Sequence, residues 1–327
     1  MLKIAQIGVG YWGPNLLRNL VANKRCQVTK VVELSPERRD YVKSLYPAIE
    51  VHDEVAEVLS DRDIDGVVVA TPVFTHFDLA TRFLKAGKNI LVEKPLARSV
   101  AEVEDIGKIA KENKLVAMVG HTFLYNAAVR YVKKLIDNGE IGDVRYIYSQ
   151  RVNLGRIRSD VDALWNLAPH DISIIQYWLG EPTPASVVKR GIDYIQNGVS
   201  DVVFMNIIYP NKVMANIHVS WLDPGKIRCM TVVGTKKMVV YDDVSENKIA
   251  IYDKGIDQKA VLGEKMDYDN GAYPTFSLRS GDVLLPNIKF EEPLKVEINH
   301  FFDCIEKGMD CLTGVEHAKK VVEILAS

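Results

Sequence analysis

A chain of 327 residues exceeds one ordinary domain, and its 47% apolar share supplies cores for two. With 41 Lys and Arg against 43 Asp and Glu, the formal charge is −2, with mixed signs spread along the chain and no basic block or acidic tail. That balance argues against a nucleic-acid binder, and no apolar run approaches the roughly 20 residues that span a bilayer.

The four cysteines, Cys26, Cys229, Cys304 and Cys311, make no C-x-x-C pair and have no histidine companions at zinc spacing. Free thiols in a reducing cytosol, and no metal site, are expected. The first residues run straight into a turn motif and leave no room for a signal peptide, which also points to the cytoplasm.

Residues 4–7 read as a buried strand, and Gly8-Val9-Gly10-Tyr11-Trp12-Gly13 follows at once. Pro14 to Leu20 carries helical apolar spacing. The glycines therefore stand in the strand–turn–helix context that marks a dinucleotide site, the alternative being a tight turn in an unrelated α/β protein. Gly8 permits the turn, Gly10 lets a pyrophosphate approach the backbone, and Gly13 lets helix and strand pack closely. The helix amino terminus adds N–H groups and a favourable dipole, with Tyr11 and Trp12 in the same cofactor loop.

A second strand, 27–32, ends in Glu33, about 20 residues beyond the last glycine. A carboxylate there accepts hydrogen bonds from the adenosine ribose and repels a 2′-phosphate, which favours NAD over NADP. Arg38 and Arg39 are the counter-evidence, because an arginine can hold that phosphate. They fall a turn into the helix begun by Ser35-Pro36-Glu37 and read mostly as solvated surface charge.

Residues 64–70 form another buried strand, ending in Thr71-Pro72 beside the expected cofactor crevice. His76, a turn later, either lines that crevice or is structural. A helix over 77–84 precedes a strand at 89–92, which Glu93-Lys94-Pro95 breaks, since proline has no N–H for the ladder. A helix opening at Ser99 and a strand at 116–119 follow. Such alternation implies a parallel sheet with helices on both faces. Lys94 then stands just past the carboxyl end of a strand, where doubly wound sheets bind ligands, unless it is a solvated loop lysine.

Together these residues resemble the Gfo/Idh/MocA oxidoreductases. The matching features are the glycine loop at 8–13, Ala70-Thr71-Pro72-Val73-Phe74-Thr75-His76, Val92-Glu93-Lys94-Pro95-Leu96-Ala97, Ala163-Leu164-Trp165-Asn166-Leu167-Ala168-Pro169-His170-Asp171 and Val232-Val233-Gly234-Thr235. They stand in the family's order and cover nearly the whole chain. The resemblance implies that Lys94 is the active-site lysine near the nicotinamide and that His170 is the acid/base. Glu93 then positions the lysine or contacts the nicotinamide ribose. The family commonly has Asp where Asn166 stands, and an amide carries neither proton nor charge, so proton transfer falls to His170.

Beyond residue 120 the periodicity predicts an amphipathic helix at 129–136 and a strand from 144 to 152. Tyr125, in the segment leaving the sixth strand, is a candidate substrate contact. Residues 153–160 are too polar for core. They read either as an exposed loop or as one over the active site, with Arg151, Arg156 and Arg158 available for phosphate or carboxylate. A helix over 165–178 puts Asn166 and His170 on one face at i and i+4.

Strands at 185–193, 200–209, 213–221 and 227–233, a hairpin turn at 209–212 and a turn at 234–237 suggest a largely antiparallel sheet. One face would pack under helices; the other commonly mediates subunit contacts in the family, implying a homodimer or homotetramer. Ile217, Val219 and Trp221 supply either that face or core. The polar segment 254–286 reads as a long excursion bearing Tyr268, Tyr273 and Arg279, before helices at 293–307 and 315–325.

The expected fold is thus α/β plus α+β. A Rossmann parallel sheet fills a dinucleotide-binding domain over 1–120, and an open-faced, helix-covered antiparallel sheet fills a substrate and oligomerisation domain over 121–327. The expected chemistry is NAD-dependent oxidation of a secondary hydroxyl on a sugar or cyclitol-like ring. An imidazole suits the proton transfer at cytosolic pH and an ammonium suits the developing alkoxide. The arginines and the His170 segment resemble nucleotide-sugar relatives that oxidise the 3-hydroxyl of UDP-N-acetylglucosamine or its uronic acid. A free-sugar or inositol dehydrogenase, or a non-catalytic cofactor-binding regulator, is the alternative.

Overall fold

A computed structural model describes residues 1–155, 157–259 and 275–327. The chain falls into two compact units, one of Met1–Asn126, Ile172–Gln176 and Glu291–Ser327, the other of Ala127–Asp171 and Tyr177–Phe290.

In the first unit strands and helices alternate: β1 (Leu2–Ile7), α1 (Gly13–Ala22), β2 (Cys26–Val32), α2 (Pro36–Leu45), β3 (Glu50–His52), α3 (Ala56–Leu59), β4 (Gly66–Val69), α4 (His76–Lys85), β5 (Asn89–Glu93), α5 (Val100–Asn113) and β6 (Ala117–Gly120). The strands order as β3-β2-β1-β4-β5-β6 and every pair is parallel. β4 is buried at every residue, as expected for a parallel strand covered on both faces. The order reverses between β1 and β4, and at such a switch point a crevice opens at the carboxyl ends of the strands. Ser35 and Ser99 cap α2 and α5 by accepting from the Arg38 and Glu102 N–H groups.

The second unit carries α6 (Ala127–Asp137), β7 (Val144–Leu154), β8 (Ser186–Ile192), β9 (Val202–Ile208), β10 (Met214–Ser220), β11 (Leu222–Gly234), β12 (Met238–Asp242), β13 (Ile249–Lys259) and β14 (Thr275–Leu284), with α7 (Ala163–Leu179) between β7 and β8. Its sheet runs β14-β13-β12-β11-β7-β10-β9-β8; β7 and β10 pair in parallel and the other pairs are antiparallel. Strand alternation sorts the two faces. Ile217, Val219 and Trp221 are buried and belong to the core, whereas Tyr146, Tyr148, Phe204 and Met214 are exposed on the opposite side. Trp178, near the end of α7, donates to the Val129 carbonyl at 2.9 Å and meets the Tyr241 ring edge-on.

Much of the stretch expected as a polar excursion is instead the β13–β14 hairpin. The ladder pairs Ile256 with Leu278, both exposed, so these strands lack the apolar-in, polar-out alternation by which a half-buried strand is read. Arg279 lies on β14, ion-paired with Asp253 at 3.1 Å, while Tyr268 and Tyr273 lie outside the described residues.

The chain closes with α8 (Pro293–Lys307) and α9 (Val315–Ala326), which belong to the first unit. Phe301 packs on Gly66, and Arg25 pairs with Asp303 and Glu306. Among the described residues no helix is long and apolar enough to cross a membrane.

Arg151 was expected to be available to a ligand, but in β7 it is 4% exposed. Its guanidinium grips Asp171 through Nε at 2.7 Å and Nη2 at 3.3 Å, and Ser149 Oγ donates to the same carboxylate at 2.7 Å. Burial lowers the Arg151 pKa, and the Asp171 charge and hydrogen bond more than offset it, so the net shift is upward and the guanidinium stays charged. Replacing Arg151 with Met should destabilise the full chain by about 3–5 kcal/mol, because it strands a buried carboxylate. Urea unfolding of variant and wild type measures this, and near-equal midpoints would show the pair to be dispensable.

Candidate functional site

The turn after β1 is built from the glycines upward. Gly8 has φ +89°, and a Cβ on it would sit 2.6 Å from the Ala70 carbonyl oxygen at the end of β4. A Cβ on Gly13 would meet the Gly8 carbonyl oxygen at 2.7 Å. No other residue type fits either position without moving backbone. Gln6 holds the turn from below, its side-chain amide donating to the Gly8 and Gly13 carbonyls at 2.9 Å each. Pro14 sits in the first turn of α1 and Trp12 makes no capping hydrogen bond, so no side chain occupies the helix's amino-terminal dipole. Tyr11 and Trp12 stand exposed beside it.

Glu33 follows β2. One carboxylate oxygen accepts the Val9 N–H at 2.6 Å and the other accepts the Ser35 N–H at 2.9 Å. Arg38 and Arg39 are not free surface charges. Arg38 donates to the Val9 carbonyl at 2.8 Å and lies 3.3 Å from the Cβ position of Gly10, while Arg39 donates to the Glu33 and Leu34 carbonyls at 2.8 Å each. Both arginines brace the loop, a tertiary use that helix position alone does not reveal.

After β4, the Thr71 and Thr75 hydroxyls share a hydrogen bond at 2.6 Å, and Pro72 is exposed. His76 is 1% exposed, with Nδ1 2.8 Å from the Pro95 carbonyl and Nε2 2.9 Å from the Thr71 carbonyl. The ring ties the 71–75 turn to the segment after Lys94. Burial lowers its pKa against the pull of the Pro95 and Thr71 carbonyls, and the Lys94 charge adds to the lowering.

Lys94 stands at the carboxyl end of β5, and its peptide bond to Pro95 is cis. Burial pushes the Glu93 carboxyl up to about 7, against the pull of the Lys94 ammonium, the Lys94 N–H and Trp12. Glu297 on α8, fully buried, accepts from the Thr122 hydroxyl at 2.8 Å; burial and the Glu93 charge hold its carboxyl well above the usual range. His121 is buried edge-on to His317 at 5.0 Å, and burial, His317 and Lys94 keep it neutral. Lys94 thus acts on Glu93 and on the His76 and His121 rings within one unit, and Glu93 in turn acts on Glu297. Gln6, His121 and Glu297 carried no sequence signal, because each reads as an ordinary residue of a strand, loop or helix.

Tyr125, expected as a substrate contact, is 1% exposed, and its hydroxyl meets Thr313 Oγ1 at 3.0 Å. It is a core residue of the first unit. In the other unit, α7 opens on Asp162, whose carboxylate accepts the Trp165 N–H at 2.8 Å. Asn166 and His170 then lie one turn apart, both partly exposed, with Pro169 inside the helix. Arg158 pairs with Asp160, and Arg156 lies outside the described residues.

The glycine cradle, the uncapped helix terminus and the carboxylate after β2 fit NAD: Gly8, Gly10 and Gly13 would hold its pyrophosphate and Glu33 its adenosine ribose. A parallel sheet with this crevice in one unit and a mostly antiparallel sheet in the other are the two parts of a nucleotide-dependent oxidoreductase fold. Residues 2–121 match the family described as "Oxidoreductase family, NAD-binding Rossmann fold", and residues 129–240 match the GFO/IDH/MocA C-terminal domain. The chain belongs to the Gfo/Idh/MocA oxidoreductase family, and NAD is its cofactor.

Among relatives, a 4-carboxy-2-hydroxymuconate-6-semialdehyde dehydrogenase of Sphingobium sp. is 31% identical over 58% of this chain, a match spanning 63% of that relative's length. A scyllo-inositol 2-dehydrogenase (NAD(+)) of Bacillus subtilis is 25% identical over 94% of this chain and 87% of its own. The solved UDP-N-acetylglucosamine 3-dehydrogenase of Acidithiobacillus ferrooxidans shares the fold with TM-score 0.79 and 21% identity, covering 99% of this chain and 95% of its own.

Two measurements check this site. Gly8→Ala should lose NAD binding, read by quenching of protein fluorescence, because the added methyl collides with backbone; unchanged affinity would contradict the cradle. Glu93→Gln tests the buried carboxyl. Its folded pKa is raised from 4.5 to about 7, so the stability linked to it is complete below 4.5 and lost as pH rises through 7. The variant should therefore gain on wild type in urea unfolding across that window, and parallel pH curves would remove the assignment.

Proposed function

We propose that the protein is an NAD-dependent dehydrogenase of a secondary hydroxyl on a sugar-type ring. The supporting observation is Lys94 at a strand end of the nucleotide-binding unit, with a carboxyl pushed up to about 7 and two buried imidazoles of lowered pKa around it. Bound NAD supplies the hydride acceptor. His170 takes the hydroxyl proton as the C–H hydride leaves, and the Lys94 ammonium stabilises the alkoxide that develops. Glu93 orients the lysine. Asn166 hydrogen-bonds a ring hydroxyl without taking part in proton transfer.

For the finer assignment, the proposed substrate is a nucleotide sugar of the UDP-N-acetylglucosamine type, oxidised at its 3-hydroxyl. The likeness in fold to the Acidithiobacillus ferrooxidans enzyme supports it. A free cyclitol or sugar is the second reading, favoured by a specific observation: Arg151 is committed to Asp171 and Arg158 to Asp160, which removes two of the three arginines that a diphosphate would need. The exposed aromatic face of β7 and β9 supports assembly of like subunits.

NADH formation across nucleotide sugars, inositols and free sugars distinguishes the two readings; tight NAD binding without turnover on any of them would favour a regulator. Lys94→Ala and His170→Asn should each lower turnover roughly a hundredfold or more while NAD affinity survives. Turnover at wild-type level in either variant would remove that residue from the chemistry.

A further inference from the structure

The first unit holds a second cluster of chemically capable side chains that the proposed reaction does not use. His300 and Cys304 stand one turn apart on α8. The helix ends at Gly308, whose φ of +63° turns the chain back and returns Cys311 to the same place. One ligand-capable atom from each of the three lies within 4.8 Å of the others.

The spacing is that of a coordination sphere. Cys304 Sγ is 3.5 Å from His300 Nε2. With Zn–S near 2.3 Å and Zn–N near 2.0 Å, a tetrahedral zinc site has an N···S edge of roughly 3.6 Å. That edge is therefore already at ligand distance.

The surroundings keep the set in place. His300 Nε2 accepts the Leu312 N–H at 3.0 Å, so its lone pair faces the cluster and the other ring nitrogen carries the proton. A metal would take over that lone pair and leave the Leu312 N–H beside the thiolates, a supporting contact such sites use. The loop bearing Cys311 is pinned to β6: Thr313 accepts from the Val119 N–H at 2.9 Å, Tyr125 bonds the Thr313 hydroxyl, and Gly314 bridges to Met118. Cys304 is buried, while His300 and Cys311 are partly exposed, which leaves an entry path and room for water as a fourth ligand. A Cys304–Cys311 disulfide would leave the histidine unexplained, whereas a metal uses all three donors.

We propose that His300, Cys304 and Cys311 form a binding site for a zinc-like divalent metal, with water completing a tetrahedron. Both thiols release their protons to solvent as the metal–sulfur bonds form, with no change of oxidation state. The spacing H-x3-C-x6-C escapes the usual sequence patterns because its first two ligands share a helix turn.

Chelator-treated full-length protein, kept reduced and titrated with Co²⁺, should bind one ion per chain. It should show the intense visible bands of a tetrahedral site and a near-ultraviolet thiolate transition, and Zn²⁺ should displace the cobalt. Cys311→Ser should lose the thiolate transition while circular dichroism and NAD binding persist, and Cys229→Ser should titrate as wild type does. Should Cys311→Ser misfold, His300→Gln tests the same donor set. A weak octahedral spectrum in the wild type, a spectrum indifferent to Cys311→Ser, or a Cys304–Cys311 disulfide in place of metal uptake would overturn the site.

Discussion

The nucleotide-binding unit depends on one close approach, that of the Gly8 backbone to the Ala70 carbonyl across the seam between β1 and β4. At that seam the strand order reverses, and only a residue without a side chain lets the two chain segments converge there. Gln6 fixes the shape of the turn by satisfying two of its carbonyls, and Glu33 and Arg38 hold Val9 by its N–H and its carbonyl. The loop is thus set by three side chains from neighbouring strand and helix ends before any ligand arrives. A preorganised turn of this kind spares the pyrophosphate the cost of ordering it.

Electrostatics gives the same unit its second character. Glu93 and Glu297 lie where water is scarce, and both are pushed toward the neutral form. Burial lowers the pKa of the buried histidines His76 and His121 as well, and the Lys94 charge adds to it. The lysine charge is therefore opposed by a carboxyl that titrates near neutrality rather than by a permanent carboxylate. Paired and shifted groups of this sort gather at functional sites more often than elsewhere.

The glycine loop, the strand–helix alternation, the Glu-Lys-Pro break and the paired Asn166 and His170 were legible because each is a local pattern with a physical cause. Turn conformation, strand period and helix spacing act over a few residues. The partners of Arg151, Arg38, Arg39 and Tyr125 were not legible in this way. A charge or a hydroxyl does not announce its partner, and these partners lie as far away as Asp171, Val9, Glu33 and Thr313. β13 and β14 were missed for another reason: apolar Ile256 and Leu278 face outward, so the strands do not follow the apolar-in, polar-out period.

By itself, then, the sequence determined the order of elements, the parallel sheet with its nucleotide turn and the second, largely antiparallel sheet, all of which follow from short-range sterics and hydrophobic period. Only the tertiary structure decided which polar groups are buried together: that Arg151 is consumed by Asp171, that Glu297 joins Glu93, and that His300, Cys304 and Cys311 converge. The physical reason is desolvation. A buried polar group must find its partner wherever the fold places one, and no spacing along the chain encodes that distance.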